Sequence, residues 1–399
     1  MVAVPVPTPL PVPLAGAGPA YPTAAVARIE AIDVLRGIVI VLMVLDHVRD
    51  YFTAYRFGPL DPEKTWATLY ATRWVTHFCA PLFVLLSGVS IRLMAARVAR
   101  GALALFLLKR GSWLVLLEVV VVSFLWSFRF DYGAGIFLQV IWAIGASMVA
   151  MAALVHLPPR IVAAIGVAIV AGHHLLDGVD GTAYGVAWTL PFAPGPLGGV
   201  GFVAYPFVPW LGIMAAGYGV GGLYALSAPQ RRRALLLLGL ALVVAFAIGR
   251  TLNGYGDPRP WVPQADSLRT AFAFMDVTKY PPSLWFACAT IGPGLVALAL
   301  LERARGPIAA FFATYGRVPL FAYLLHIAVV HLLAGLVGLA TGHGTAIIGD
   351  AFFNYPDGWG YGLRVVYPAW ILVIALLYLP CRWYGRKKAR GTSRLYAYL

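Results

Sequence analysis

The stretch DVLRGIVIVLMVLDHVRDYF, residues 33–52, constrains most tightly what this chain can fold into. It is apolar enough to cross a membrane, yet it carries Asp33, Arg36, Asp46, His47, Arg49 and Asp50. An ionisable group at the centre of a membrane helix costs about 2.5–3.5 kcal/mol even on the lenient insertion scale. A span keeps such groups where they pair with one another or line a polar cavity. Chemistry is therefore expected first in this helix.

The rest of the chain supports a membrane setting. Of its 399 residues 61% are hydrophobic and 12% charged, and the mean hydropathy is +0.80. Soluble domains carry roughly 25% charged residues. The 42 Gly and 29 Pro also fit, since both are commoner in membrane helices than in soluble ones. The net charge of +14 comes from Lys and Arg gathered in short loops, which reads as an orientation signal and not as a nucleic-acid surface. Cys79 and Cys288 lie in apolar segments and Cys381 near a basic end. Three cysteines without ligand spacing give neither a disulfide framework nor a metal site, and read as small buried hydrophobes.

Ten apolar segments near the ~20 residues of a span follow one another. They lie at about 32–54, 73–95, 103–127, 134–155, 160–176, 202–225, 233–250, 282–302, 314–340 and 363–384, with a break expected near Pro319. The fold class expected is all-α, a polytopic membrane bundle of about ten transmembrane helices. Arg92, Arg97, Arg100, Lys109, Arg110, Arg160, Arg231–Arg233, Arg303, Arg305 and the Arg382–Arg390 cluster all fall on one side of a ten-span alternation. By the positive-inside rule that side is cytoplasmic, and so are both termini. Residues 1–27 alternate prolines without a basic region ahead of an apolar core, so a disordered Pro-rich cytoplasmic tail is expected and not a signal peptide. Residues 28–388 form the membrane domain, and 389–399 a cytoplasmic C-terminal tail. The opposite side carries longer loops, at 177–201, 251–281 and 341–362, rich in Gly, Pro, Trp, Tyr and Asp. They suit a sugar-like ligand, although plain interfacial anchoring by Trp and Tyr explains most of them.

At ~100° per residue, Asp33, Arg36, Met43, His47 and Asp50 share one face of the first span. Asp33 can pair with Arg36, and Asp46 with Arg49, each at i,i+3. Asp50 can accept the ring N–H of His47 and fix its tautomer. In the second span Arg73 and His77 share a face, and Pro81 frees the carbonyl of His77. By residue counting His77 reaches nearly the depth of His47, so two facing histidines would make an acid/base site; an interfacial histidine that only steadies the bundle is the alternative. Arg317, Tyr323 and His326 mark the ninth span, where an interhelical hydrogen bond competes with a functional role for His326. Asp276, Lys279 and Tyr280 precede the eighth span at the outer rim, with Tyr205 and Trp210 at a comparable depth in the sixth. The GYGVGG run follows no strand and reads as close helix packing.

Five segments carry a resemblance: RIEAIDVLRGIVIVLMVLDHVRDYF, TRWVTHFCAPLFVLLSG, YPFVPWLGIMAAGYG, TKYPPSLWFACATIGP and YGRVPLFAYLLHIAVVH. In this order they resemble the bacterial proteins grouped with the catalytic domain of heparan-alpha-glucosaminide N-acetyltransferase, over nearly all of the chain beyond residue 27. The Arg36–x10–His47 spacing and FVLLSGVSI are also similar to the type-3 membrane acyltransferases. The resemblance implies a multi-pass bundle of the bacterial cytoplasmic membrane that takes an acetyl group from cytoplasmic acetyl-CoA to an extracytoplasmic sugar or glycan hydroxyl or amine. It implies Arg36 and His47 as the functional pair. The lysosomal enzyme's catalytic histidine lies in its first luminal loop. The matching segment here, FGPLDPEKTWATLYA, has none, so His47 or His77 must take that role, and a heparan substrate is not implied.

The residues themselves suit acyl transfer. His47 supplies a base or nucleophile, with His77, Arg36, Asp50 and Asp33 around it. Arg73, Asp46, Arg49, Tyr280, Lys279, Arg317, Tyr323 and His326 are candidates for holding acceptor or acyl-CoA. The expected partners are the lipid bilayer, acyl-CoA and the acceptor, with no metal and no nucleic acid; the oligomeric state stays open, a homodimer among the options. The alternative is a proton-coupled transporter using Asp33, Arg36, His47, Asp50, His77 and His326 as a relay, against which the lack of a clear repeat between the two halves counts.

Overall fold

The computed structural model describes residues 29–129, 135–349 and 355–391. The tail expected at residues 1–27 and most of the one at 389–399 lie outside the described residues. Helices occupy each of the ten apolar segments. The first six are α1 (Glu30–Phe52); α2 (Ala67–Trp74) running into α3 (Cys79–Ala95); α4 (Arg100–Leu117) running into α5 (Ser123–Ser127); α6 (Val140–Leu154); α7 (Pro159–Gly172); and, after a short α8 (Val186–Thr189), α9 (Phe207–Gly221). Then come α10 (Ala228–Leu252), a loop helix α11 (Ser267–Met275), α12 (Leu284–Leu301), α13 (Pro307–Gly316), α14 (Pro319–Ala340), a short α15 (Ala346–Gly349) and α16 (Leu363–Ala389). Among the described residues seven helices, some continued by a 3-10 turn, are long and apolar enough to cross a membrane. Helix α1 has the length but too many charges for that criterion, and α6 is shorter. The protein is an all-α membrane bundle.

Local chemistry explains the boundaries. The ninth segment divides before Pro319, as its sequence suggests, leaving α13 and α14 joined through Arg317 and Val318. Ser227 and Gln230 close a capping box at the start of α10, and Ser283 accepts the backbone N–H of Phe286 at the start of α12. Arg386, Lys387 and Lys388 sit at the negative end of the α16 dipole.

Two irregularities were not expected from the sequence. Val75–Phe78 is a 3-10 turn between α2 and α3, and Glu118–Val122 is a π-helical stretch between α4 and α5. The outer loops also supply a small sheet of β1 (Ile136–Leu138), β2 (Gly195–Pro196) and β3 (Gly201–Val203) in the order β1-β3-β2. Strand β1 runs parallel to β3 with Phe137 opposite Phe202, and β2 runs antiparallel. Helix α1 lies at the centre, packed on α3, α12, α13, α14 and α16. Its outer end is tied down by the Trp359 indole, which donates to the carbonyl of Tyr51 at 3.0 Å.

Close helix crossings depend on glycine. A Cβ on Gly88 of α3 would run into the Met214 carbonyl of α9, and one on Gly217 of α9 would run into the Leu85 carbonyl of α3. The two backbones approach so closely only because neither position carries a side chain. A Gly88→Val protein is expected to lose about 1–3 kcal/mol, the usual cost of overpacking. It should melt below wild type in detergent; an unchanged melting temperature would show that the crossing can spread without cost.

Candidate functional site

A cavity of about 1060 Å³ opens at the end of the bundle that carries the long loops. Helix α1 lends it Met43, Asp46, His47, Arg49 and Asp50. The π-bulged third span lends Ser123, Trp126 and Ser127; the small sheet walls one side with Ile136, Phe137, Gly201 and Phe202; Lys279 and Tyr280 stand at the rim.

The partner of His47 is His326 of α14, completely buried, with His47 Nδ1 and His326 Nε2 2.6 Å apart. His326 Nδ1 lies 3.2 Å from the Ala322 carbonyl. A carbonyl only accepts, so His326 Nδ1 carries a proton and its Nε2 offers a lone pair. His47 must then donate from Nδ1, which leaves its Nε2 as the basic nitrogen on a ring that lines the cavity. The Trp126 ring packs edge-on against the His47 imidazole at a centroid distance of 4.9 Å and holds its plane.

Next to it, Asp46 is almost fully buried and surrounded by donors. Arg73 Nη1 reaches both carboxylate oxygens at 3.0 Å, Thr76 Oγ1 donates at 2.9 Å and Arg49 Nη2 lies 2.9 Å away. Arg49 also pairs with Asp50. A buried charge persists only when partnered in this way.

The rim is held rigidly. Arg250, buried at the end of α10, donates to the carbonyls of Phe274, Asp276, Arg259 and Ala273. Asp257 accepts from Thr278 N, Thr278 Oγ1, Ser283 Oγ and Arg259 N. Between these clamps the loop presents Lys279 and Tyr280. The Lys279 ammonium lies 5.0 Å from the centre of the Tyr280 ring and 5.9 Å from that of Tyr205.

The chain matches the family model described as "Heparan-alpha-glucosaminide N-acetyltransferase, catalytic" over residues 28–256, more than half of its length. The chain belongs to this family. No curated protein matches it. Membership of the heparan-alpha-glucosaminide N-acetyltransferase catalytic family makes the protein a membrane-bound transferase of the acetyltransferase type, a family that uses acetyl-CoA as donor. The match takes in α1, with His47 and Asp46, and the whole second span, with Arg73. Lys279, Tyr280 and His326 lie beyond it.

The structure gathers some of the residues singled out in the sequence and separates others. Asp46, His47, Arg49, Asp50, Arg73, Lys279, Tyr280 and Tyr323 line the cavity, and His326 stands behind His47. Asp46 and Arg49 pair as expected. His77 does not face His47. Its ring lies among Phe286 and Trp74 with neither nitrogen hydrogen-bonded, because the 3-10 turn advances ~120° per residue and swings it away from the face that Arg73 and Thr76 share. Nor does Asp50 accept from His47: Nδ1 is taken by His326, and Asp50 is drawn to Arg49. Arg36 lies three helical turns below, outside the cavity, donating to Leu86 O and Ser90 Oγ of α3. Asp33 is buried one turn further down. Arg317 lies at the opposite end, in a second cavity of about 420 Å³.

Glu118 escaped the sequence reading. It is fully buried, and its carboxyl accepts the backbone N–H groups of Gln139 and Trp142, closing the start of α6. A lone acid in the apolar run LVLLEVVVVSFLW was its available signal. Replacing Asp46 with Ala would strand Arg73 and leave Arg49 with Asp50 alone. A loss of about 3–5 kcal/mol is expected, the cost of unpairing a buried charge, measured as a fall in melting temperature. Wild-type stability in Asp46→Ala would mean that water replaces the carboxylate.

Proposed function

We propose that the protein moves an acetyl group from acetyl-CoA, bound on the side of the arginine-rich loops, to a hydroxyl or amine of a sugar-like acceptor that enters the outer cavity. The observation that carries this reading is His47, with Nδ1 committed to His326 and its basic Nε2 left to the cavity. The arginine-rich side would be cytoplasmic, in a bacterial inner membrane.

The steps follow from that tautomer. The acceptor O–H or N–H gives its proton to His47 Nε2 while its lone pair attacks the acetyl carbonyl carbon. The carbonyl electrons move onto oxygen, where Arg73 or Tyr280, both on the cavity wall, can donate to the oxyanion. Collapse breaks the C–S bond, and the imidazolium returns its proton to the departing thiolate. Asp46 places Arg73, and His326 keeps the His47 ring in register. On the donor side the second cavity is lined by Arg317, Arg382 and Arg386, suited to phosphate through charge-assisted bonds. Arg317 lies just ahead of α14, whose first residue, Pro319, is seven residues before His326, on the order of 10 Å along the helix at 1.5 Å per residue. The reading calls for a donor with a long, thin arm that carries its thioester from phosphates held there to His47. The family match gives no support to the transporter alternative.

His47→Ala is expected to cut kcat/KM for acetyl transfer by about 10²–10⁴, the range for a lost general base. Its stabilisation by micromolar CoA should be unchanged, which would show that the variant is folded and binds donor. Undiminished transfer by the purified variant would remove His47 from the role. His326→Ala should lose less, since the base remains but turns freely. Quenching with labelled acetyl-CoA in the absence of acceptor should leave no label on His47; a labelled His47 peptide would replace the base mechanism with an acyl-enzyme.

A further inference from the structure

Among the described residues the charges on the cavity wall do not balance, and the imbalance sits at the rim. Arg49, Arg73 and Lys279 face Asp46 and Asp50. Asp46 is taken up by Arg73, Thr76 and Arg49, and Asp50 by Arg49. Lys279, only 8% exposed, has the rings of Tyr205 and Tyr280 and the Tyr280 hydroxyl beside it, and no carboxylate in ion-pair contact among the described residues. Arg49, 3% exposed on the same wall, has Nε and Nη1 without a hydrogen-bond partner. An ammonium so far withdrawn from water without a counter-charge is costly, and the rings of Tyr205 and Tyr280 offset only part of that. Burial would raise the Tyr280 hydroxyl, but Lys279 and then Arg73 outweigh it and hold the group below its ordinary range, as an electropositive rim would. The clamps by Arg250 and Asp257 keep the rim in place before any ligand arrives.

We infer that the acceptor carries a negative group, a carboxylate in the simplest case, which docks on Lys279 beside Tyr280 while its hydroxyl or amine reaches His47. This rests on the acetyltransferase reading above. A single surplus positive charge fits one carboxylate better than a phosphate dianion. The phosphates of the donor belong to the opposite end of the bundle, so they do not answer Lys279.

The test compares acceptors that differ in charge. Purified full-length protein in nanodiscs is given labelled acetyl-CoA with glucosamine, with muramic acid, which adds a carboxylate to the same amino sugar, or with glucosamine 6-phosphate. Binding of each acceptor without donor is followed by calorimetry at two salt concentrations. Muramic acid is expected to exceed glucosamine at least tenfold in kcat/KM, through KM, and to bind more weakly at high salt. Lys279→Met should bring the ratio of the two close to one, and Lys279→Arg should restore it. Transfer to glucosamine as good as to muramic acid, or a preference that survives Lys279→Met, would overturn the inference and leave the acetyltransferase standing. A stronger preference for glucosamine 6-phosphate would replace carboxylate by phosphate. Salt-sensitive, Lys279-dependent binding of muramic acid with no transfer to any acceptor would instead overturn the acetyltransferase reading and keep the anion site. Neither binding nor transfer would overturn both.

Discussion

A carboxylate placed inside an apolar bundle has to be answered, and the answer given to Asp46 organises the outer half of this protein. Arg73 and Thr76 come from the second span, Arg49 from one turn further along α1, and all three converge on one side chain. Removing that charge from water is expensive enough that the two spans have no freedom to slide or rotate against each other. Every other part of the site is measured from this junction. His47 follows Asp46 directly and therefore points to the other flank, at α14. Asp50 lies one turn above, and the cavity fills the space between the two flanks.

The architecture was largely legible in the sequence because hydrophobic segments of the right length and arginine-bearing short loops are local signals. The break before Pro319 and the pairing of Asp46 with Arg49 were legible for the same reason. What could not be read was the choice of partner across the bundle. His326 and His77 look alike in sequence, each a histidine at membrane depth beside aromatic residues. Only the 3-10 turn at Val75–Phe78, which no composition signals, rotates one out and leaves the other in. The wall formed by Ile136, Phe137 and Phe202 was equally hidden, since strands of two or three residues fall below any periodicity.

The site also divides its labour by element type. The histidine pair proposed to handle the proton sits on two long helices, α1 and α14, with a buried ion cluster beside it. The groups proposed to select the acceptor, Lys279 and Tyr280, sit on a loop braced by its own carbonyls and a buried aspartate. In the proposed reading, a change in the loop alters what is recognised while the His47–His326 pair stays on its helices.

The chain from His47 to His326 ends on the carbonyl of Ala322. A peptide carbonyl receives a hydrogen bond but does not hold a proton near neutral pH. The pair is thus a cul-de-sac: a proton that reaches His47 Nε2 can leave only from that nitrogen, into the cavity. In the reaction proposed above, with donor and acceptor on opposite sides of a membrane, an open proton path through the site would short-circuit the ion gradient. Here His326 and the Ala322 carbonyl close the far side of His47, so in the proposed reaction the acceptor's proton crosses only as part of the departing thiol, in exchange for the acetyl group.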